Sequence, residues 1–212
     1  FKISQLTTSV FVPSALFSIG EYALIPIIPA SAERLGADLP TAGLIAGFVM
    51  LGTLLAAVPA ARFVNAVGER KAMMWSALSA MAGILIAIIA DNIFALGAAV
   101  LMVGASAAVF ALARHAYMAE HVPLSHRARA LAFLGGTFRA GAFIGPLLSA
   151  AVIATLGLSA VLIFCMGFWL ATALALLFNK DDKSSNAIAT PLSYTWVIAK
   201  REKKKLLTVG VG

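Results

Sequence analysis

The sequence predicts an all-α, polytopic membrane protein, and three observations predict it. Of 212 residues, 61% are hydrophobic and 12% charged. The mean hydropathy of +0.97 exceeds what a soluble domain with one core and a polar surface can carry. Six continuous apolar runs reach the length of about 20 residues that crosses roughly 30 Å of hydrocarbon as a helix. These runs do not alternate and are about twice as long as a barrel strand, which excludes a transmembrane β-barrel.

The first run extends from Thr7 to Ala32. It holds Glu21 with Pro13, Pro26 and Pro29, and is too long and too interrupted for a cleaved signal peptide. The second spans Thr41 to Val64, the third Ala72 to Ala90 and the fourth Ile93 to Leu112. The fifth, Ala130 to Leu156, contains Arg139, and the sixth runs from Ser159 to Phe178. Cys165, in the sixth, is the single cysteine, so an internal disulfide and a cysteine metal site are both excluded. Two glycine pairs at helical spacing, Gly43 with Gly47 and Gly141 with Gly145, predict close helix contacts. Pro146 follows directly and removes a helix hydrogen bond, which predicts a bend.

Residues 1–179 are thus expected to form one six-helix bundle. Its longest loop is expected between the fourth and fifth helices, at EHVPLSHRARA. Residues 180–205 read as a basic linker, with SYTWVIAKREKKK compatible with either a short surface helix or a solvated segment. Residues 206–212 read as the start of a seventh helix. A chain that opens on Phe1 and stops within LLTVGVG is expected to be a fragment of a longer protein.

The loops separate by charge. Lys2, Arg62, Arg70, Lys71, Arg114, Arg127, Arg129 and the basic residues from Lys180 to Lys205 fall on one side, fourteen of the sixteen Lys and Arg. The opposite loops hold Arg34 with Glu33 and Asp38, then Asp91, then an uncharged turn at Gly157. The positive-inside rule therefore predicts that both ends are cytoplasmic, in a plasma (inner) membrane. The net charge of +7 follows from this orientation and from contact with anionic lipid, without invoking nucleic acid.

The sequence has no G-x-x-x-x-G-K-[ST] phosphate loop, so any transport is driven by a gradient and no cofactor is implied. Gly104-Ala105-Ser106-Ala107 resembles the G-x-S of six-helix rhomboid proteases, but such a serine needs a histidine base within reach. His115, His121 and His126 all lie at or beyond the cytoplasmic end of the fourth helix, so Ser106 reads as a packing residue. Glu21 and Arg139 are the stronger signal, because ionisable groups inside a span are costly and mark pathways or sites. Counted from the cytoplasmic helix ends at 1.5 Å per residue, they lie about 21 Å and about 13 Å deep. Burial and a nearby guanidinium act on a carboxyl in opposite senses, which suits a group that exchanges protons. The competing expectation is a purely structural ion pair.

These features together resemble the N-terminal half of a major facilitator superfamily transporter, and specifically bacterial drug and metabolite proton antiporters. ARFVNAVGERK, residues 61–71, is similar to the family's loop G-x-x-x-D-R-x-G-R-[RK], with Gly68, Arg70 and Lys71 retained. Asn65 stands where the family has aspartate, Ala61 where it has glycine and Glu69 where it has arginine. AGAFIGPLLSA, residues 140–150, resembles the antiporter element of helix five, with Ser149 and Ala150 in place of its closing glycines. The helix-four arginine of many such exporters falls at Val100, and Arg139 is the candidate to replace it.

The resemblance implies two inverted three-helix repeats forming half of a twelve-helix transporter. It implies proton-coupled export of small hydrophobic or cationic molecules by alternating access, with Glu21 and Arg139 at the coupling site. Asn65, Gly68, Arg70, Lys71, Gly141, Gly145 and Pro146 are then gating elements. A C-terminal half, or a second copy, is required to complete the pathway. The alternatives are a metabolite uniporter or symporter, and a non-transporting scaffold or truncated remnant.

Overall fold

A computed structural model describes residues 7–178. The chain divides into Phe1–Asp181 and Asp182–Gly212; the linker and seventh helix expected over 180–205 and 206–212 lie outside the described residues. A π-helical turn, Thr7–Phe11, leads into α1 (Val12–Leu24). Then follow α2 (Ile27–Arg34), α3 (Leu39–Val67), α4 (Glu69–Ile89), α5 (Ile93–His121), α6 (Leu124–Leu156) and α7 (Leu158–Phe178).

The first span is not continuous. α1 and α2 form one crossing bent by 40°. Pro26 has no N–H to give to the carbonyl of Tyr22, and Pro29 none for Ile25, so two helix bonds are missing at the break. α2 ends in a Schellman motif, with Gly36 at φ 85° and hydrogen bonds from Gly36 N to Glu33 O and from Ala37 N to Ala32 O, both 3.0 Å. Asp38 caps α3 by accepting from Thr41 N at 3.2 Å, and Asn92 caps α5 by accepting from Ala95 N at 2.9 Å.

Two further expectations are corrected. The fourth helix continues past Leu112 to His121, and the fifth starts at Leu124. The loop expected at EHVPLSHRARA therefore shrinks to Val122 and Pro123, where proline ends one helix and starts the next. Pro146 lies inside α6, which continues through it without a break. Gly43 and Gly47 are exposed, and a Cβ at either would meet nothing within 4 Å, so this pair makes no close helix contact among the described residues.

The surface is apolar, with Leu54 70% and Phe143 72% exposed, as lipid contact demands. Inside, Phe17 stacks on Phe110 at 4.0 Å, and the buried Trp169 donates from Nε1 to the carbonyl of Phe17 at 3.2 Å. Of the five unbroken crossings, α5 is the most buried and α6 the least, with 56% and 17% of their most apolar stretches buried.

The packing follows a pattern. Counting the bent pair as the first of six crossings, the main contacts join crossings two and four, three and four, one and five, one and six, and three and six. Exchanging the first three crossings with the last three maps this set onto itself. That is the signature of two three-helix repeats, and an odd number of helices in each makes the second repeat enter from the opposite side.

Candidate substrate cavity

α1 and α6 run parallel in close contact because α6 offers no side chain there. A Cβ at Gly145 would lie 2.8 Å from the Ala23 nitrogen and from the Ile19 oxygen, and one at Gly141 would run into the Ser18 side chain. α5 and α6 are antiparallel neighbours in the chain, joined by Val122 and Pro123. Between the three helices lies a cavity of about 540 Å³ lined by Tyr22, Arg114, His115, Leu131, Leu134, Gly135, Phe138, Arg139 and Ala142.

Arg114 is the residue that sequence reasoning misplaced. It was expected in a cytoplasmic loop, but it sits within α5 and is only 7% exposed. Its guanidinium carbon lies 4.7 Å from the centroid of the Phe138 ring, a cation–π contact. Phe138 in turn meets Tyr22 edge-on, with centroids 5.3 Å apart. The sequence did contain a signal for this. Phe110, Ala113, Tyr117 and Met118 are buried at helical spacing, and Arg114 falls within that inward stripe. A count of apolar residues stops at the charge, whereas the periodicity runs through it.

Glu21 is half-buried on α1, and Arg114 is the guanidinium that acts on it electrostatically. Arg139 is exposed at the rim of the same cavity and is not the group facing Glu21. The structure thus gathers Arg114 and Arg139 on one cavity, and the field of Arg114 reaches Glu21 without an ion-pair contact between them among the described residues. The Nε of Arg114 is buried and has no hydrogen-bond partner among the described residues.

Gly68, at φ 85°, makes the turn between α3 and α4. Arg70 Nε donates to the Leu176 carbonyl at 2.9 Å, and its Nη2 to the carbonyls of Leu176 and Leu177. A cation at these free carbonyls complements the negative C-terminal end of α7. Asn65 and Lys71 are exposed. Ser106 donates within α5 to the Met102 carbonyl at 2.7 Å and lies 3.0 Å from the Ser79 hydroxyl, while His115 lies against the carbonyl of Ala111 and His121 against that of Tyr117.

Six crossings in two inverted repeats, with charges beside a cavity at one interface, define a polytopic bundle built like half of a secondary transporter. The sequence profile of the Major Facilitator Superfamily matches residues 10–209, and the chain belongs to that superfamily. Members of the superfamily are transporters and not enzymes. Its fold is similar to that of the peptide transporter POT in complex with sulfate, at a TM-score of 0.76 and 12% identity over 98% of this chain and 45% of that one. It is also similar to the human organic anion transporter MFSD10 (TETRAN), at 0.69 and 20% over 89% and 51%. The chain therefore spans about half the length of these solved structures. No curated protein matches it in sequence.

Proposed function

We propose that this chain forms the N-terminal half of a proton-coupled secondary transporter working by alternating access, with Glu21 as the group that binds and releases the proton. The supporting observation is a carboxyl and a buried guanidinium, Glu21 and Arg114, set inside the span beside a cavity. An ionised Glu21 occupies the field of Arg114, and a protonated one releases it, so the proton changes what Arg114 binds. Among the described residues, His115 and Arg139 on the cavity wall and Tyr22 beside Glu21 are the other charged or titratable groups around it. The far wall belongs to a C-terminal half or a second copy. Exchange of cargo for protons is the mode implied by the resemblance of residues 140–150 to the antiporter element, and uniport is the alternative.

The test uses the full-length protein in vesicles containing a pH-sensitive dye, challenged with small organic anions and cations. Cargo should move protons in the wild type. Glu21→Gln, which keeps the shape but cannot titrate, should abolish proton movement while cargo still exchanges across the membrane. Proton movement undiminished in Glu21→Gln refutes the assignment, and cargo flux with no proton movement in the wild type establishes uniport.

Both ends of the six-helix bundle face the cytoplasm in this reading, on the division of Lys and Arg between the loops. In a Cys165→Ala background, cysteines at Gly36 and Asn92 should react with an impermeant thiol reagent in intact cells and one at Ser125 should not. Labelling at position 125 from outside would reverse the orientation.

A further inference from the structure

We infer that the cavity between α1, α5 and α6 binds a small organic anion, with its acidic group held by Arg114 and Arg139 and its body against Phe138 and Leu134. This rests on the transporter reading and names its cargo class, opposite in sign to the cationic molecules that the sequence resemblance implied.

The cavity wall carries two permanent guanidiniums and, among the described residues, no carboxylate. Glu21 lies within the field of Arg114 but does not line the cavity, so the wall, with two guanidiniums, stays cationic. A cationic cargo would meet repulsion strengthened by the low dielectric of the span. Arg114 is 7% exposed with its Nε unpartnered, and a buried donor of a charged group left without an acceptor is costly. An acidic group entering the cavity supplies that acceptor, and the planar fork of a guanidinium matches a carboxylate through two parallel bonds.

Arg139 has no hydrogen-bond or ion-pair partner among the described residues and stands on the same wall. Gly135, one turn before it, leaves space, since a Cβ there would meet nothing within 4 Å. Leu131, Leu134 and Phe138 make the rest of the wall apolar. A volume of about 540 Å³ lies in the range of small-molecule sites. The fit is therefore to a compact molecule with one acidic head and an apolar body.

The test measures binding, which needs neither transport nor coupling. The full-length protein in detergent is titrated calorimetrically with benzoate, phenylacetate and phenyl phosphate, and with benzylammonium and benzyl alcohol as cationic and neutral counterparts. At least one anion should bind, at least tenfold more tightly than its counterparts. Arg139→Gln, at an exposed position that leaves the fold intact, should weaken it roughly tenfold, as loss of a charge-assisted hydrogen bond does. Arg114→Lys, which keeps the charge but loses the fork, should weaken it as well, in protein that elutes as a single species. Binding of none of the anions, equal or tighter binding of benzylammonium, or affinity unchanged in both variants overturns the inference. Anion binding together with proton movement undiminished in Glu21→Gln would sink the coupling role of Glu21 alone.

Discussion

Two interfaces in this bundle are the same contact made twice, α3 against α5 and α1 against α6. Each joins parallel helices, and each closes on glycines that the other backbone would overlap. A Cβ at Gly104 would lie 2.9 Å from the carbonyl carbon of Val49, and one at Gly52 would lie 3.0 Å from that of Leu101. At α1 and α6, Gly145 plays this part against backbone and Gly141 against the Ser18 side chain. The difference is what stands beside the glycines. Residues 49–56 and 101–108, around Gly52 and Gly104, include no ionisable group, and the polar bond there is Thr53 Oγ1 donating to the carbonyls of Val49 at 3.0 Å and Gly104 at 3.1 Å. The α1–α6 contact is flanked by Glu21, Tyr22, Phe138 and Arg139, with Arg114 reaching in from α5. The inverted repeat supplies the close contact twice, and only one copy is charged. Scaffold and candidate site are thus separable within a single architecture.

The largest expected effect breaks the contact in either copy. Gly104→Ala and Gly145→Ala each place a methyl group against backbone that no rotamer change can clear, and should cost about 3 kcal/mol or abolish folded protein. Gly141→Ala meets mainly the Ser18 side chain, so its smaller loss should be largely restored by Ser18→Gly. Gly43→Ala, at the same sequence spacing but over open space, should be neutral. Thermal unfolding of the purified variants checks the order, and a Gly104→Ala midpoint equal to that of Gly43→Ala would contradict the close approach.

The smallest effect sharpens the comparison at the helix starts. Asp38 and Asn92 cap α3 and α5 in the same way, yet only one titrates. Hydrogen bonds from the Thr41 side chain and backbone hold the Asp38 carboxyl below its ordinary 3.8. Its folded value is therefore lower than its unfolded one. The cap's contribution is complete above the unfolded value and fades as pH falls through the folded one. Asp38→Asn should remove that acid sensitivity, and Asn92→Asp should install it at α5. Unfolding midpoints measured between pH 6 and pH 3 decide it; an acid dependence unchanged by Asp38→Asn would assign it to other groups.

The crossings were legible in the sequence because hydrocarbon demands length and apolarity of each segment separately. The limits of the helices were less so. α5 runs nine residues beyond Leu112, to His121, because the energy that keeps a charge in a helix comes from neighbours on other helices. Phe138 on α6 shields Arg114, and no property of the sequence around residue 114 names Phe138. The same reason separates the two glycine pairs. Gly43 with Gly47 and Gly141 with Gly145 are alike in spacing, and only the position of a partner makes one a contact and leaves the other open.

By itself the sequence determined that the chain is a six-crossing helical membrane protein and that Glu21 and Arg139 carry charge into a span. These follow from a solvent that penalises each unsatisfied polar group wherever it lies along the chain. The tertiary structure decided which guanidinium faces Glu21, that Arg114 and Arg139 share one cavity, and which glycines hold helices together. Those are distances between residues far apart in sequence, set by how the two repeats pack.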